Sequence, residues 1–272
     1  MRLGIFAKTF PGSAPSPVLR QARAAGFAAV QYNMACSGLP SMPDAIGPGV
    51  AEAVAQAARA EGLAVAAVSG TYNMIHPDKA VRAAGLRRLE VLAGACGAMG
   101  TSLITLCTGT RDPDDQWRGH PDNGSPEAWR DLLAELELAI GIAERHGLRL
   151  GIEPELSNVI DSAAKARLLL ETLGSPVLAV VLDPANLFET GTLDEQRELV
   201  AAAVELVGEH LIMAHAKDRA ADGSFVAAGK GVIDFRHFVG RLRAAGFDGD
   251  LVAHGLAAAE APGVAQFLAE LT

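Results

Sequence analysis

The stretch "RHGLRLGIEPE", residues 145–155, contains three features that together indicate the fold. Gly147 follows a long alanine-rich segment, as expected where a helix closes on a left-handed residue and the next apolar side chain packs back on it. A short apolar run comes next and ends on the carboxylate of Glu153. The same glycine pattern recurs as "AAGF" at 24–27, "AEGL" at 60–63 and "AAGF" at 244–247, each time directly before an apolar run. The chain therefore repeats a helix, a sharp stop and a strand.

Eight short apolar runs alternate with amphipathic segments along the whole chain. They are Leu3–Phe6, Ala28–Gln31, Leu63–Val68, Ser102–Leu106, Arg149–Glu153, Val177–Asp183, Leu211–Ala216 and Asp250–His254. The "SP" dipeptides at 16–17 and 125–126 predict helices that begin with a capping serine and a proline. Thr192 and Glu195 have the spacing of a capping box.

Eight βα units of about 34 residues each predict a single-domain (β/α)8 TIM barrel, an α/β fold, over residues 1–272. An open doubly wound sheet is the rival architecture. Its glycine-rich turn, GxGxxG after the first strand, is absent from "LGIFAKTFPGS" at 3–13,.

Composition narrows the class of partner. The formal net charge of −9 argues against binding to nucleic acid or to anionic membranes, because both need clustered lysine and arginine,. No apolar stretch approaches the ~20 residues of a membrane helix, and the N-terminus does not resemble a signal peptide. The three cysteines have no CxxC spacing, which indicates reduced thiols and a cytoplasmic protein,. A small-molecule substrate is expected, and a homo-oligomer stays open.

Chemistry-bearing side chains end the last four runs. These are Glu153, Asp183, His215 and His254, one on each consecutive strand. Because the carboxyl ends of barrel strands meet at one rim, we expect the four side chains to converge. Taken singly, each has an ordinary alternative, such as a turn at Asp183 or a core histidine at His215. Together, two carboxylates and two imidazoles predict one divalent metal ion, Mn, Co, Mg or Zn.

The second half of the chain resembles the xylose-isomerase-like sugar phosphate isomerase/epimerase superfamily. The resemblance rests on "GIEPE" at 151–155, "LDPAN" at 182–186, "HAKD" at 215–218, "GKGVIDF" at 229–235 and "GFDGDLV" at 246–252. It implies a TIM barrel whose divalent metal is held by Glu, Asp, His and a final Glu. The first three map onto Glu153, Asp183 and His215. His254 stands where the family pattern has glutamate, which puts a symmetrical exchange of protons between two glutamates in doubt.

Five further residues are candidates for contact with substrate. Lys217 lies two residues beyond His215, on the same face of the strand, where it could meet an alkoxide or pair with a rim acid. Asn186 stands where many relatives of the superfamily have a substrate-touching histidine. Trp117 and His120 belong to a long polar loop, 107–127, of the kind that often closes over substrate. His76 either faces the pocket or starts a helix.

A glycine-rich segment, "AAGKG" at 227–231, follows the seventh run. Barrels often bind phosphate at this position, so it is a candidate phosphate loop. The alternative is a turn that leads to Asp234 as a helix cap.

These features predict a divalent-metal-dependent isomerase or epimerase of a sugar, a sugar phosphate or a keto-sugar. The resemblance implies proton abstraction next to a carbonyl through a metal-stabilised enediolate, with Glu153 and His254 as the catalytic groups. A dehydratase or lyase on a keto-sugar or keto-inositol is the alternative, because elimination begins with the same abstraction. An endonuclease IV-like phosphodiesterase fits less well, since position 213 is methionine and the chain is acidic. A non-catalytic sugar-binding protein is the remaining candidate.

Overall fold

A computed structural model describes all residues, 1–272, and contains a closed barrel of eight parallel strands. The strands are β1 (Arg2–Phe6), β2 (Ala29–Tyr32), β3 (Ala64–Ser69), β4 (Leu103–Cys107), β5 (Arg149–Glu153), β6 (Leu178–Leu182), β7 (Leu211–Arg219) and β9 (Asp250–Ala253). Each strand pairs with its neighbour in sequence, and β9 pairs with both β7 and β1, which closes the barrel. The chain is thus a single TIM barrel, as the βα pattern predicts.

A helix follows each barrel strand and packs outside it. The helices are α1 (Pro15–Ala24), α2 (Val50–Glu61), α3 (Lys79–Met99), α4 (Pro126–His146), α5 (Ala163–Leu173), α6 (Leu193–Val207), α7 (Phe235–Ala244) and α8 (Ala261–Ala269). Ser125 caps α4, and Thr192 and Glu195 form the capping box of α6. The serine of 16–17 does not cap α1, which begins at Pro15 without a side-chain cap. All four glycines of the recurring pattern have positive φ. None of the helices combines the length and the apolar character that crossing a membrane requires.

The barrel interior is filled in layers below the rim. Five apolar residues from five different strands form a small cluster inside it: Ala67, Leu103, Val181, Met213 and Val252. Side chains alternate along a strand, so the residues two positions beyond this cluster point into the barrel one layer higher. On β6, β7 and β9 those residues are Asp183, His215 and His254. The apolar cluster therefore forms the floor on which the predicted site rests.

One element is absent from the sequence prediction. The seventh strand does not end at Ala216 but continues to Arg219 and turns back into a short antiparallel strand, β8 (Phe225–Ala227). This hairpin rises from the rim and carries Lys217, Arg219 and Phe225 beside the barrel mouth.

A buried carboxylate holds the base of the hairpin. Asp218 is fully buried and accepts four backbone hydrogen bonds, from the amides of Arg219, Gly229, Gly231 and Ile233 at 2.8–3.1 Å. A Cβ at position 231 would lie 2.0 Å from the Arg219 carbonyl oxygen, so only glycine fits there. Two amides of the predicted phosphate loop, those of Gly229 and Gly231, are thus bound to a carboxylate of the chain itself. Asp234 caps α7, as the alternative reading of this segment predicts.

Candidate metal centre and active site

The four residues that end the last four barrel strands converge at the rim. Glu153, Asp183, His215 and His254 each offer one ligand atom, and these atoms all lie within 4.8 Å of one another. The first three side chains are almost fully buried, and that of His254 is 22% exposed. The structure therefore brings together the four residues that the sequence predicts as metal ligands.

The four side chains form two pairs of acid and imidazole. His215 Nδ1 lies 3.1 Å from Glu153 Oε1, and His254 Nε2 lies 2.9 Å from Asp183 Oδ2. The two imidazole rings meet edge to face with their centroids 4.5 Å apart. Each carboxylate thus has one histidine beside it, and the two pairs are in contact.

These pairings shift the pKa values in opposite directions. Burial works to raise the pKa of Glu153 and of Asp183, yet the neighbouring cationic groups outweigh it and hold both below their usual range. Lys217 has the largest such effect on Asp183, and His215 on Glu153. Burial also works to lower the pKa of His215, but Glu153 raises it above the usual value. The pKa of His254 is lowered by burial and by the adjacent His215. Both carboxylates are therefore ionised and available as ligands at neutral pH.

The residues present fit a divalent cation. Two ionised carboxylates and two imidazoles are the mixed oxygen and nitrogen set that Mn²⁺, Co²⁺ and Zn²⁺ accept. A fifth polar side chain orients one of the imidazoles: Gln31 donates to Thr105 Oγ1 at 3.0 Å, and its Oε1 faces His215 Nε2 at 2.8 Å. His215 therefore donates its Nε2 proton to Gln31 and directs Nδ1 at the centre, which is the usual arrangement of a histidine ligand.

A chain of hydrogen bonds extends from the centre to the hairpin. Asn186 donates from Nδ2 to Glu153 Oε1 at 2.8 Å, and its Oδ1 accepts from Lys217 Nζ at 2.7 Å. Lys217 Nζ also lies 3.5 Å from Asp183 Oδ2 and 3.9 Å from the centroid of the Phe225 ring. The lysine thus bridges the two carboxylates and fixes the asparagine amide, so that Glu153 accepts through Oε1.

A cavity of about 280 Å³ lies above the four residues. Glu153, His215 and His254 line it together with Asn186, Lys217, Trp117, Phe225 and Glu155 among others, whereas Asp183 is fully buried and does not reach its surface. Burial and the neighbouring Glu153 carboxylate raise the pKa of Glu155 to about 7. The cavity therefore contains a carboxyl group that titrates near neutrality beside one that stays ionised.

The structure places the five predicted substrate residues differently. Asn186, Lys217 and Trp117 line the cavity. His76 lines a separate cleft, where its Nε2 meets the Pro113 carbonyl oxygen at 3.0 Å and its Nδ1 accepts from the Asp78 amide at 3.0 Å. The ring of His120 caps a short 3-10 helix by accepting from the Asp122 amide at 3.2 Å. The structure does not bring these two histidines to the cavity.

Sequence reasoning missed two residues of this site. Gln31 ends the apolar run "AAVQ" at 28–31, and a glutamine in such a strand is a signal of a buried polar partner,. Phe225 gives no such signal, since its place beside Lys217 depends on the hairpin.

Comparison with known proteins places this geometry in a family. A family model described as xylose isomerase-like TIM barrel matches residues 19–264. Curated protein sequences give no match.

Solved structures share the fold at low sequence identity. A 3-keto-D-glucoside 4-epimerase from E. coli superposes with a TM-score of 0.78 at 20% identity, covering 100% of this chain and 98% of that one. An L-ribulose 3-epimerase gives 0.77 at 19% identity, covering 99% and 93%. A xylose isomerase-like TIM barrel/4-hydroxyphenylpyruvate dioxygenase fusion protein gives 0.71 at 19% identity, and this chain covers only 38% of it. On the strength of the family match, which extends over most of its length, the chain belongs to the xylose isomerase-like TIM barrel family.

Proposed function

We propose that the protein is a divalent-metal-dependent isomerase or epimerase of a sugar or keto-sugar. The observation that carries the proposal is the convergence of Glu153, Asp183, His215 and His254 within 4.8 Å at the floor of a cavity. The epimerases with the same fold act on sugars by their names, which supports the same substrate class here.

The residues of the centre would hold the metal with two carboxylates and two imidazoles. When bound, the ion supplies Lewis-acid stabilisation of the negative charge that develops on a substrate carbonyl oxygen. The other steps belong to the side chains of the chain itself.

Glu153 is the proposed base. Its Oε1 accepts the bond from Asn186, which leaves Oε2 to take a proton from the carbon next to the carbonyl,. The electron pair of the broken C–H bond moves into the carbonyl and forms an enediolate. Return of the proton from Glu153 to the neighbouring carbon gives isomerisation. Epimerisation needs a proton delivered to the opposite face of the same carbon, and His254 is the proposed donor for that step. Lys217, held by Asn186 and Asp183, places a positive charge beside the developing oxyanion,.

His254 favours a second candidate function, a dehydratase or lyase. Because histidine rather than glutamate follows β9, with its Nε2 2.9 Å from Asp183 Oδ2, the rim lacks the second glutamate that a symmetrical two-glutamate exchange needs. A single base with an acid for the leaving hydroxyl is enough for elimination. The phosphodiesterase remains disfavoured, since Met213 lies in the apolar floor below the centre.

Deuterium exchange tests the proposal. The protein with added Mn²⁺ is incubated in D₂O with a panel of ketoses and 3-keto sugars, and mass spectrometry follows the substrate. Isomerisation or epimerisation adds about one mass unit of deuterium, whereas elimination removes the mass of water. Glu153→Gln should abolish exchange, and Asp183→Asn and His215→Ala should lower the metal content of the purified protein. Absence of exchange across the panel would favour the non-catalytic sugar-binding protein.

A further inference from the structure

The cavity above the metal centre continues into a second and larger one. The second cavity has a volume of about 510 Å³ and shares Trp117, Glu155, Asn186 and Phe225 with the first. Because the two cavities share four lining residues, a ligand bound at the centre has room to extend sideways rather than only toward solvent. The first cavity alone, at about 280 Å³, is small for a ligand pocket, whereas the pair falls within the usual range of roughly 300–1,000 Å³,.

Two exposed aromatic side chains stand at the junction. Trp117 is 52% exposed and Phe225 is 49% exposed, although both line the shared opening. Phe225 is held in place by Lys217 and Arg219, whose charged groups lie 3.9 and 4.2 Å from its ring centroid. An aromatic ring kept in a fixed position with half of its surface exposed offers a flat apolar face, which suits the C–H face of a sugar ring.

Arg219 offers a free donor in the second cavity. Its side chain is nearly buried, its Nε donates to the Ala185 carbonyl oxygen at 2.6 Å, and Nη1 donates to the Gly223 carbonyl oxygen. Nη2 has no partner within the protein, and the residue lines the cavity. Nη2 is not a buried atom, so it is open to the cavity and is free to donate to an acceptor on a ligand in place of solvent,.

The charge around this donor selects against an anion. Arg219 is accompanied in the cavity wall by the carboxyl groups of Glu155 and Glu189, so the wall has no excess of positive charge. The glycine-rich loop that could have cradled a phosphate already binds Asp218. The acceptor that fits is therefore an uncharged hydroxyl.

We infer that the second cavity is a subsite for an uncharged second sugar ring, so that the substrate is a disaccharide or glycoside rather than a free sugar or a sugar phosphate. The apolar face of this ring packs against Trp117 and Phe225, and its hydroxyl groups bond to Arg219 and Glu189. This inference rests on the proposed function, since it extends the substrate of the same centre.

The test compares keto-disaccharides with a matched monosaccharide. Maltulose, turanose and isomaltulose, which link a glucosyl ring to different positions of fructose, are compared with D-fructose and D-fructose 6-phosphate. Saturation-transfer NMR reports which ring protons contact the Mn²⁺-loaded protein, and deuterium exchange gives kcat/KM. Ser157→Phe fills the second cavity, because Ser157 lines it but not the first. Leu168→Ala, at an exposed position on α5, is the control.

The subsite predicts that at least one disaccharide receives saturation on both rings. Its kcat/KM should exceed that of D-fructose about tenfold, and Ser157→Phe should remove that advantage whereas Leu168→Ala keeps it. Saturation confined to the fructosyl ring in all three disaccharides, or a preference for the phosphate ester, would overturn the subsite while exchange on D-fructose upholds the proposed function. Contact with both rings without exchange on any sugar upholds the subsite and overturns the proposed function. No binding of any sugar would overturn both.

Discussion

Replacement of Asp218 by asparagine should destabilise the protein more than any change on the exposed part of the same hairpin. The carboxylate accepts from Arg219 and Ile233 through Oδ1 and from Gly229 and Gly231 through Oδ2. Asparagine keeps one oxygen, so its NH₂ group must face one of these two pairs of N–H donors. The pair at the two glycines is the more exposed, and we expect the amide to turn that way.

The cost follows from the bonds that are lost. Each lost bond from a backbone donor to a charged acceptor is worth about 1.5 kcal/mol at a partly solvated position, which gives about 3 kcal/mol for the two. With a urea m value near 3 kcal/mol/M for a chain of this size, the unfolding midpoint should fall by about 1 M. Circular dichroism in urea measures the midpoint.

A matched control lies in the turn of the same hairpin. Asp222 is exposed and accepts hydrogen bonds only from Ser224, whose backbone amide lies at 3.0 Å and whose hydroxyl lies at 2.7 Å. Asp222→Asn should therefore change the free energy of unfolding by no more than about 0.5 kcal/mol. If the two variants unfold at the same urea concentration, Asp218 does not anchor the hairpin and this reasoning is wrong.

Three further predictions concern the centre. Gln31→Leu should weaken Mn²⁺ binding by roughly 10–100-fold, because His215 loses the acceptor that orients it; competition with a chelator measures the affinity, and an unchanged value would contradict the role,. His254→Glu should place a carboxylate beside Asp183, so the metal-free variant should be less stable than the natural protein,. Addition of Mn²⁺ should raise the Tm of the variant more than it raises the Tm of the natural protein. An equal rise would argue against His254 facing the ion. Burial raises the pKa of Glu155 to about 7, above its ordinary value of 4.5, so its protonated form stabilises the fold below pH 4.5 and this stability is lost as the pH rises through 7,. In EDTA, the free energy of unfolding measured across this pH range should fall less steeply for Glu155→Gln than for the natural protein. Identical slopes for the two proteins would refute the raised pKa.

Much of the candidate centre could be read from the order of residues along the chain. Glu153, Asp183, His215 and His254 each follow an apolar run, and parallel strands of a barrel end at one rim, so their meeting depends only on the strand count and on alternation. The glycines that end the helices and the capping box are local features as well, since each involves residues a few positions apart. The start of α1 was misplaced by two residues because proline is acceptable at more than one position of the first turn,.

The remaining features depend on contacts between distant parts of the chain. The predicted phosphate loop turned out to bind Asp218 because β7 continues past Ala216 and folds back as a hairpin, an event set by pairing with β8. Similarly, the positions of His76 and His120 after predicted strands suggested residues at the barrel rim. In the structure, the Pro113 carbonyl binds the His76 ring, and the Asp122 amide donates to the His120 ring.

The sequence by itself determined the βα repeat, the barrel and the four polar residues at its rim, because all of these arise from local periodicity and from the order of the strands. Only the tertiary structure decided that Gln31 orients His215, that Lys217 bridges two carboxylates through Asn186, and that Phe225 and Arg219 wall a second cavity. The first two contacts join residues 31 to 184 positions apart, and the distances in all three cases are set by how the barrel closes and how the hairpin leaves its rim.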